Sequence, residues 1–204
     1  MRHLGWTSCL ADADVWYKAE VRPSDGDRYY AYCLLYSDDA LMIHHDGESA
    51  VREIDRYFMM KPGSICDPDF YLGAKLRLVT LRNGVTAWSL SASKYVQGAV
   101  QNVQKYLREH FSRRLPKRCA TPFAQGYRPE TDVTPELDPE KASYYQSQIG
   151  VLRWSVELGR VDIITEVSLL ASHLALPREG HLEAVFHVPN FWTLGKEAQL
   201  SVSI

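Results

Sequence analysis

Two adjacent carboxylates, Asp38 and Asp39, separate two apolar runs in the stretch LLYSDDALMI, residues 34–43. Apolar runs on both sides of a short polar segment are typical of two strands joined by a tight turn. Two carboxylates on one turn repel each other, and a divalent cation relieves the repulsion; hard oxygen ligands suit Mg²⁺. The pattern is therefore compatible with a Mg²⁺ site. It is also compatible with a solvated turn, because Asp is common in turns for its backbone hydrogen bonds.

The elements predicted around this turn are mostly strands. VWYKAEV and RYYAYCLLY flank an Asp25-Gly26 turn signal, and KLRLVTL and VTAWSLS flank Asn83-Gly84, which fits a type I′ turn. Between the two hairpins, ESAVREIDRYFMM has apolar residues at helical spacing. We expect an antiparallel sheet covered by a short helix, with the two aspartates at the tip of one hairpin.

Helical periodicity replaces the strand pattern after about residue 91. An amphipathic helix is predicted from about Ser93 to Ser112, followed by a proline-rich connector over 115–138. Asp138 and Pro139 are typical of an N-cap and a first helical position, and that helix should end at Gly159. Two further helices are predicted, over about 162–175 and 177–189. The fold class expected from these patterns is α+β, a small antiparallel sheet followed by a helical subdomain.

Composition limits the compartment and the partners. The 204 residues are 46% hydrophobic with a net charge of −2, which favours one or two compact domains and leaves any basic surface local. Four widely spaced cysteines without a CxxC pair favour a reducing, intracellular compartment, cytoplasmic or nuclear. Eighteen consecutive apolar residues occur nowhere, so we expect no membrane span and no membrane partner.

Several sequence blocks occur in an order that resembles the reverse transcriptase of copia-type retrotransposons, an RNA-directed DNA polymerase within a Pol polyprotein. Tyr36-Ser37-Asp38-Asp39 matches the tyrosine-x-Asp-Asp motif of that family. YLGAKL matches its hairpin near the primer terminus, and YYQSQIGVLRW with GRVDI matches its more C-terminal helical region. The similarity extends from Trp6 to about His187.

The resemblance implies roles for individual residues. Asp38 and Asp39 would help hold catalytic Mg²⁺ or Mn²⁺, and Tyr36 would lie near the primer end and the incoming nucleotide. The residues expected to position the primer are Phe70, Tyr71, Leu72 and Gly73. An RNA/DNA primer-template would be the partner, together with the rest of a Pol polyprotein.

The resemblance also implies a domain organisation. Residues 1–91 would form part of a palm subdomain, residues 92–188 a thumb-like helical region, and residues 189–204 a divergent, disordered tail. Only 37 residues precede Asp38, whereas the family has a further catalytic aspartate and the nucleotide-binding fingers many tens of residues upstream. We therefore expect a fragment that is inactive alone. The alternatives are a non-catalytic module derived from the polymerase, binding nucleic acid or a protein, and a decayed reading frame.

A basic cluster follows the first long helix. Its members are Arg108, Arg113, Arg114, Lys117 and Arg118. These cations could contact template or primer phosphates, or they could complement the negative end of the helix dipole. A separate His44-His45 pair is predicted to point to opposite faces of a strand, so that both rings can hardly hold one metal ion.

Overall fold

A computed structural model describes residues 1–115, 119–192 and 199–202. These residues form two compact units, Met1–Tyr71 and Leu72–Ile204. Within the described ranges the chain has antiparallel sheets and five α-helices, so the predicted α+β class is confirmed. The division follows Tyr71, whereas the sequence placed the domain boundary after residue 91.

The first unit contains a four-stranded antiparallel sheet and one α-helix. The strand order is β1-β2-β3-β4. Its elements are β1 (Thr7–Ser8), β2 (Val15–Val21), β3 (Arg28–Tyr36), β4 (Asp39–Ile43) and α1 (Gly47–Phe58), and a two-residue strand, β5 (Phe70–Tyr71), ends the unit. The bounds of β2 and β3 agree with the two predicted runs, and Gly26 in the turn between them has a φ of 76°.

One face of this sheet is buried and the other is open. Ala31 and Cys33 of β3 have no exposed surface, and they belong to a core with Trp6 and Ile54. Alternate residues of β3 point the other way, because successive side chains of a strand lie on opposite faces. Those exposed residues are Tyr30, Tyr32 and Tyr36.

The second unit combines helices with a smaller antiparallel sheet. Strand β7 (Thr86–Ser91) pairs with β6 (Ala74–Thr80) and with β8 (Gln199–Val202). The helices are α2 (Ser93–Phe111), α3 (Pro139–Glu157), α4 (Ile164–Ala171) and α5 (Glu179–Trp192). The core of this unit includes fully buried side chains from all four helices, among them Val103, Ile149, Leu170 and Val185.

The predicted start of α3 is confirmed. The Asp138 carboxylate accepts a hydrogen bond of 2.9 Å from the backbone N–H of Lys141, and Pro139 occupies the first turn. This is the N-cap arrangement expected from the side-chain types, since the cap oxygen satisfies an N–H that has no partner within the helix.

The turn between β6 and β7 differs from the type I′ prediction. Gly84 has a φ of 81°, but Asn83 does not have a positive φ, which type I′ requires at both central residues. The backbone N–H of Leu81 donates to the carbonyl of Val85 at 2.8 Å, and the N–H of Val85 donates to Oδ1 of Asn83. The Asn83 side chain therefore supports a longer turn in which one residue is left-handed.

Helix α5 does not end at Pro189 as the sequence predicted. Pro189 is fully buried and lies inside the helix, which continues to Trp192. Within the predicted disordered tail, residues 199–202 form β8, while residues 193–198 and 203–204 lie outside the described part of the chain. A proline near the end of a helix removes one hydrogen bond, and burial among the second unit's apolar side chains can offset that cost.

None of the described helices combines the length and the apolar character that crossing a bilayer demands.

Candidate functional site

The two aspartates lie at the tip of the β3–β4 hairpin, as the sequence predicted. Tyr36 and Asp39 are opposite each other in the register, which leaves Ser37 and Asp38 as a two-residue turn. Ser37 has a φ of 52°, and Asp38 does not have a positive φ. A positive φ at the first central residue alone is typical of a type II′ turn, whose twist matches that of the flanking strands. The turn thus holds both carboxylates on a short, defined backbone.

The acidic turn is open to solvent. Tyr36, Asp38 and Asp39 are exposed, and the hydroxyl of Ser37 donates a hydrogen bond of 3.1 Å to Oδ1 of Asp38. Magnesium in proteins is usually bound through one or two carboxylates together with waters and substrate phosphates. Two exposed carboxylates fit that mode of binding.

In the described part of the chain, Asp38 and Asp39 are not joined by a third His, Cys, Asp or Glu side chain into a metal-binding group. Among the described residues, no group of three or more His, Cys, Asp and Glu side chains is arranged to hold a metal ion. The donor set therefore suits a hydrated ion completed by substrate oxygens, rather than a closed site formed by protein ligands alone.

Tyr71, one of the predicted primer-positioning residues, lies beside the acidic hairpin. Its hydroxyl donates a hydrogen bond of 3.5 Å to the carbonyl oxygen of Leu34. Burial, and then the negative charge of Asp39, raise the pKa of the Tyr71 hydroxyl. The phenol consequently stays protonated at neutral pH and remains a donor. Phe70, its neighbour in β5, is 46% exposed.

Leu72 and Gly73 form a left-handed turn at the start of the second unit. Their φ values are 51° and 88°, and the carbonyl of Leu72 accepts a hydrogen bond of 3.3 Å from the indole N–H of Trp154. A methyl group on Gly73 would lie within 4 Å of Trp154, Tyr95 and Leu158. Contacts from α2 and α3 therefore hold this turn, and its role towards a primer stays a prediction.

The described members of the basic cluster differ in their contacts. Arg113 donates two hydrogen bonds to Glu183, at 2.6 and 3.0 Å, and this side-chain contact raises the pKa of Arg113. Arg108 and Arg114 line a cleft of about 380 Å³ with Gln104 and Leu115. Lys117 and Arg118, the remaining predicted members, lie outside the described residues.

The prediction that His44 and His45 point apart was wrong. Their rings stack with centroids 4.4 Å apart, because β4 ends at Ile43 and the alternation of a strand does not continue past it. The hydroxyl of Tyr29 contacts Nδ1 of His45, and the backbone N–H of Asp46 donates to Nδ1 of His44. Burial lowers the pKa of His44.

Sequence reasoning also missed a thiol–imidazole pair in the second unit. Sγ of Cys119 lies 2.5 Å from Nε2 of His187 and donates to the carbonyl of Thr121 at 3.0 Å. The two partners are 68 residues apart, and neither lies in a motif with ligand or catalytic spacing. No local signal could have joined them.

Comparison of the chain with protein-family models, with curated proteins and with solved structures produced no match. The resemblance to copia-type reverse transcriptases therefore stays a prediction from the order of the sequence motifs. The acidic β3–β4 turn, with Tyr71 beside it, is the structural feature from which we infer a function.

Proposed function

We propose that this chain is part of a metal-dependent nucleotidyl transferase of the copia reverse-transcriptase type, in which Asp38 and Asp39 bind Mg²⁺. The observation that carries the proposal is the pair of exposed carboxylates on the two-residue turn between β3 and β4. The position of these acids within the motif order of the sequence supports it.

The net negative charge of the first unit supports a requirement for a metal ion in the binding of phosphate groups. Met1–Tyr71 contains thirteen Asp and Glu against seven Lys and Arg. A phosphate group approaching this unit meets net negative charge, and repulsion weakens its binding unless a cation intervenes. Bound Mg²⁺ would supply the neutralisation of phosphate charge that nucleotidyl transfer needs.

The residues around the acids have separable tasks. Asp38 and Asp39 provide the oxygen ligands, and the turn keeps them close to each other. The ring of Tyr36, 52% exposed, lies on the strand opposite Asp39 and offers a flat face to a base or a sugar. Tyr71 ties β5 to the backbone of β3 through its hydroxyl. It therefore acts as a positioning residue for the hairpin.

We do not expect the chain to polymerise alone. A polymerase needs its reactants positioned and the developing charge stabilised, and each of these effects contributes roughly several kcal/mol. Two carboxylates, without a third His, Cys, Asp or Glu ligand among the described residues, provide only part of the positioning and part of the charge stabilisation. Primer extension by the purified chain, abolished by Asp38→Asn, would contradict the expectation of inactivity.

Metal binding tests the proposal directly. Titration calorimetry with Mg²⁺, and electron paramagnetic resonance with Mn²⁺, should show a binding event that the double variant Asp38→Asn/Asp39→Asn loses. The matched control is Asp12→Asn/Asp14→Asn, which removes the same charge from two other exposed positions of the same unit. Equal affinity in the wild type and in the Asp38/Asp39 variant would overturn the assignment.

A second candidate function is a non-catalytic module that binds nucleic acid. The observation that favours it is the cleft between Arg108 and Arg114 in the second unit. This function needs neither a metal ion nor an intact acidic turn, so it can be tested separately.

A further inference from the structure

The open face of the first sheet carries a regular set of tyrosines. Tyr30, Tyr32 and Tyr36 of β3 are 57%, 39% and 52% exposed. Tyr17 of β2 is opposite Tyr32 in the register, and its ring lies 5.8 Å from that of Tyr30 in an edge-to-face arrangement. Residues paired across neighbouring strands share a face, so the same surface includes Val15, Val21, Leu34, Leu41 and Ile43. These nine residues are called the tyrosine face below.

The tyrosine face has opposite charges at its two ends. Arg28, the only charged residue of β3, begins the strand, and Asp39 is opposite Tyr36 at the other end. Both charged residues are exposed, and their register positions place them on the same side of the sheet as the tyrosines. Tyr32 lies midway between Arg28 and Tyr36, which are about 26 Å apart at about 3.3 Å per residue.

A surface with this layout is complementary to a second copy of itself. Two identical sheets that stack face to face about a two-fold axis have their β3 strands either parallel or antiparallel. The parallel alignment places Arg28 against Arg28. The antiparallel alignment, centred on Tyr32, places Arg28 of one copy against Tyr36 and Asp39 of the other. Opposite charges then meet twice, and each guanidinium also lies beside a tyrosine ring, so charge selects the antiparallel alignment.

We infer that the chain forms a two-fold symmetric dimer in which the tyrosine faces of two copies stack with their β3 strands antiparallel. Stacked sheets lie about 10 Å apart, and their side chains interdigitate. Tyrosine and arginine are enriched at the energetic centre of protein interfaces. The inference does not rest on the proposed function, because the carboxylate of Asp39 acts here as a charge and not as a metal ligand.

The exposed area of the tyrosine face suits a small interface. A tyrosine side chain has an area of about 150–250 Å², so the three β3 rings expose roughly 200–350 Å² in each copy at their observed exposures. Two copies would bury roughly 400–700 Å² through these rings alone, against about 1,200 Å² for the smallest standard interfaces. The other residues of the tyrosine face, with Arg28 and Asp39, supply the remainder. We therefore expect a reversible dimer.

The test is sedimentation equilibrium of the full chain from about 5 to about 500 µM, a range that includes weak dimers. The buffer contains EDTA, because Mg²⁺ at the acidic turn would compete with the partner's guanidinium. It also contains about 150 mM NaCl, which screens the net negative charge of the first unit. The wild type should change from monomer to dimer within this range. A wild type that stays monomeric throughout overturns the inference.

Charge reversal tests the antiparallel alignment. Arg28→Glu and Asp39→Arg each place like charges together twice in the dimer, so each should weaken self-association at least about tenfold. The double variant Arg28→Glu/Asp39→Arg restores both opposite-charge contacts and should recover the wild-type affinity. An equimolar mixture of the two single variants should form a heterodimer for the same reason. Failure of both the double variant and the mixture to associate would overturn the alignment.

The central ring has its own variant and control. Tyr32→Ser removes the side chain that meets its copy at the two-fold axis, and it should weaken the dimer at least about thirtyfold. The matched controls are Tyr57→Ser and Arg56→Glu, which change an exposed ring and an exposed cation on α1. Both controls should dimerise like the wild type, and circular dichroism melting confirms that each variant is folded. Equal losses in the Tyr32 and Tyr57 variants, or in the Arg28 and Arg56 variants, would overturn the assignment of the interface to the tyrosine face.

Discussion

Tyr36 and Asp39 face each other across the turn formed by Ser37 and Asp38. Tyr36 and Asp39 are therefore the two residues that flank a two-residue turn, the tightest common connection between antiparallel strands. Ser37, the residue after the tyrosine, adopts the left-handed conformation that glycine usually occupies in such turns. The position of both carboxylates depends on that conformation, and it can be tested by changing Ser37 without touching the acids.

Ser37→Val should destabilise the chain by about 1–2 kcal/mol and weaken Mg²⁺ binding, because a β-branched residue is strained at positive φ. Ser37→Gly is the matched variant and should retain both properties. Urea unfolding measures the first quantity and calorimetric titration the second. Metal affinity that is unaltered in Ser37→Val would show that the turn geometry does not control the carboxylates.

Gly180→Ala should lower the free energy of unfolding by about 1–3 kcal/mol through overpacking. A methyl group on Gly180 would lie 2.8 Å from Cγ of Asp132. The Asp132 carboxylate cannot move aside freely, because it accepts hydrogen bonds from Tyr127 and Thr134. The control is Gly150→Ala, where nothing lies within 4 Å of the added methyl group. That helix position should gain up to about 1 kcal/mol, and a stabilised Gly180→Ala would contradict the prediction.

Stability should fall as the pH is lowered from about 7.5 to about 5.5. Burial lowers the pKa of His173 and of His187 in the folded chain, so the unfolded chain takes up protons first, near pH about 6.5. The stabilisation is present above that pH and is lost as the pH falls towards the folded-state values. Urea unfolding at three pH values should show a weaker decline in His173→Gln than in the wild type. An equal decline would exclude His173 as a contributor.

Cys66 should react with iodoacetamide at pH 8 while Cys33 does not. Cys33 is fully buried, and burial raises the pKa of its thiol to about 11, so the reactive thiolate is scarce. Cys66 is exposed. Peptide mass spectrometry of the folded chain should find the label on Cys66, and labelling in urea should reach both. Rapid labelling of Cys33 in the native chain would show that the β3 core opens readily.

Much of the local structure could be predicted from the sequence. The alternation in β2 and β3 identified both strands with their bounds, and the Asp138-Pro139 pair identified the start of α3. These features depend on neighbours within a few residues. The type of the Asn83-Gly84 turn was not predicted correctly. The observed turn differs from type I′ by the conformation of one residue, and a hydrogen bond to the Asn83 side chain supports it.

The residues of the candidate site were predictable, but their partners were not. The sequence by itself determined that Asp38 and Asp39 occupy a tight turn between two strands, because apolar periodicity and turn chemistry are properties of adjacent residues. The tertiary structure decided that Tyr71 lies against β3 and that Arg113, but not Arg108 or Arg114, is paired with Glu183. Glu183 is 70 residues from Arg113. Contacts at that separation depend on how helices pack, and packing is a cooperative result of the whole core.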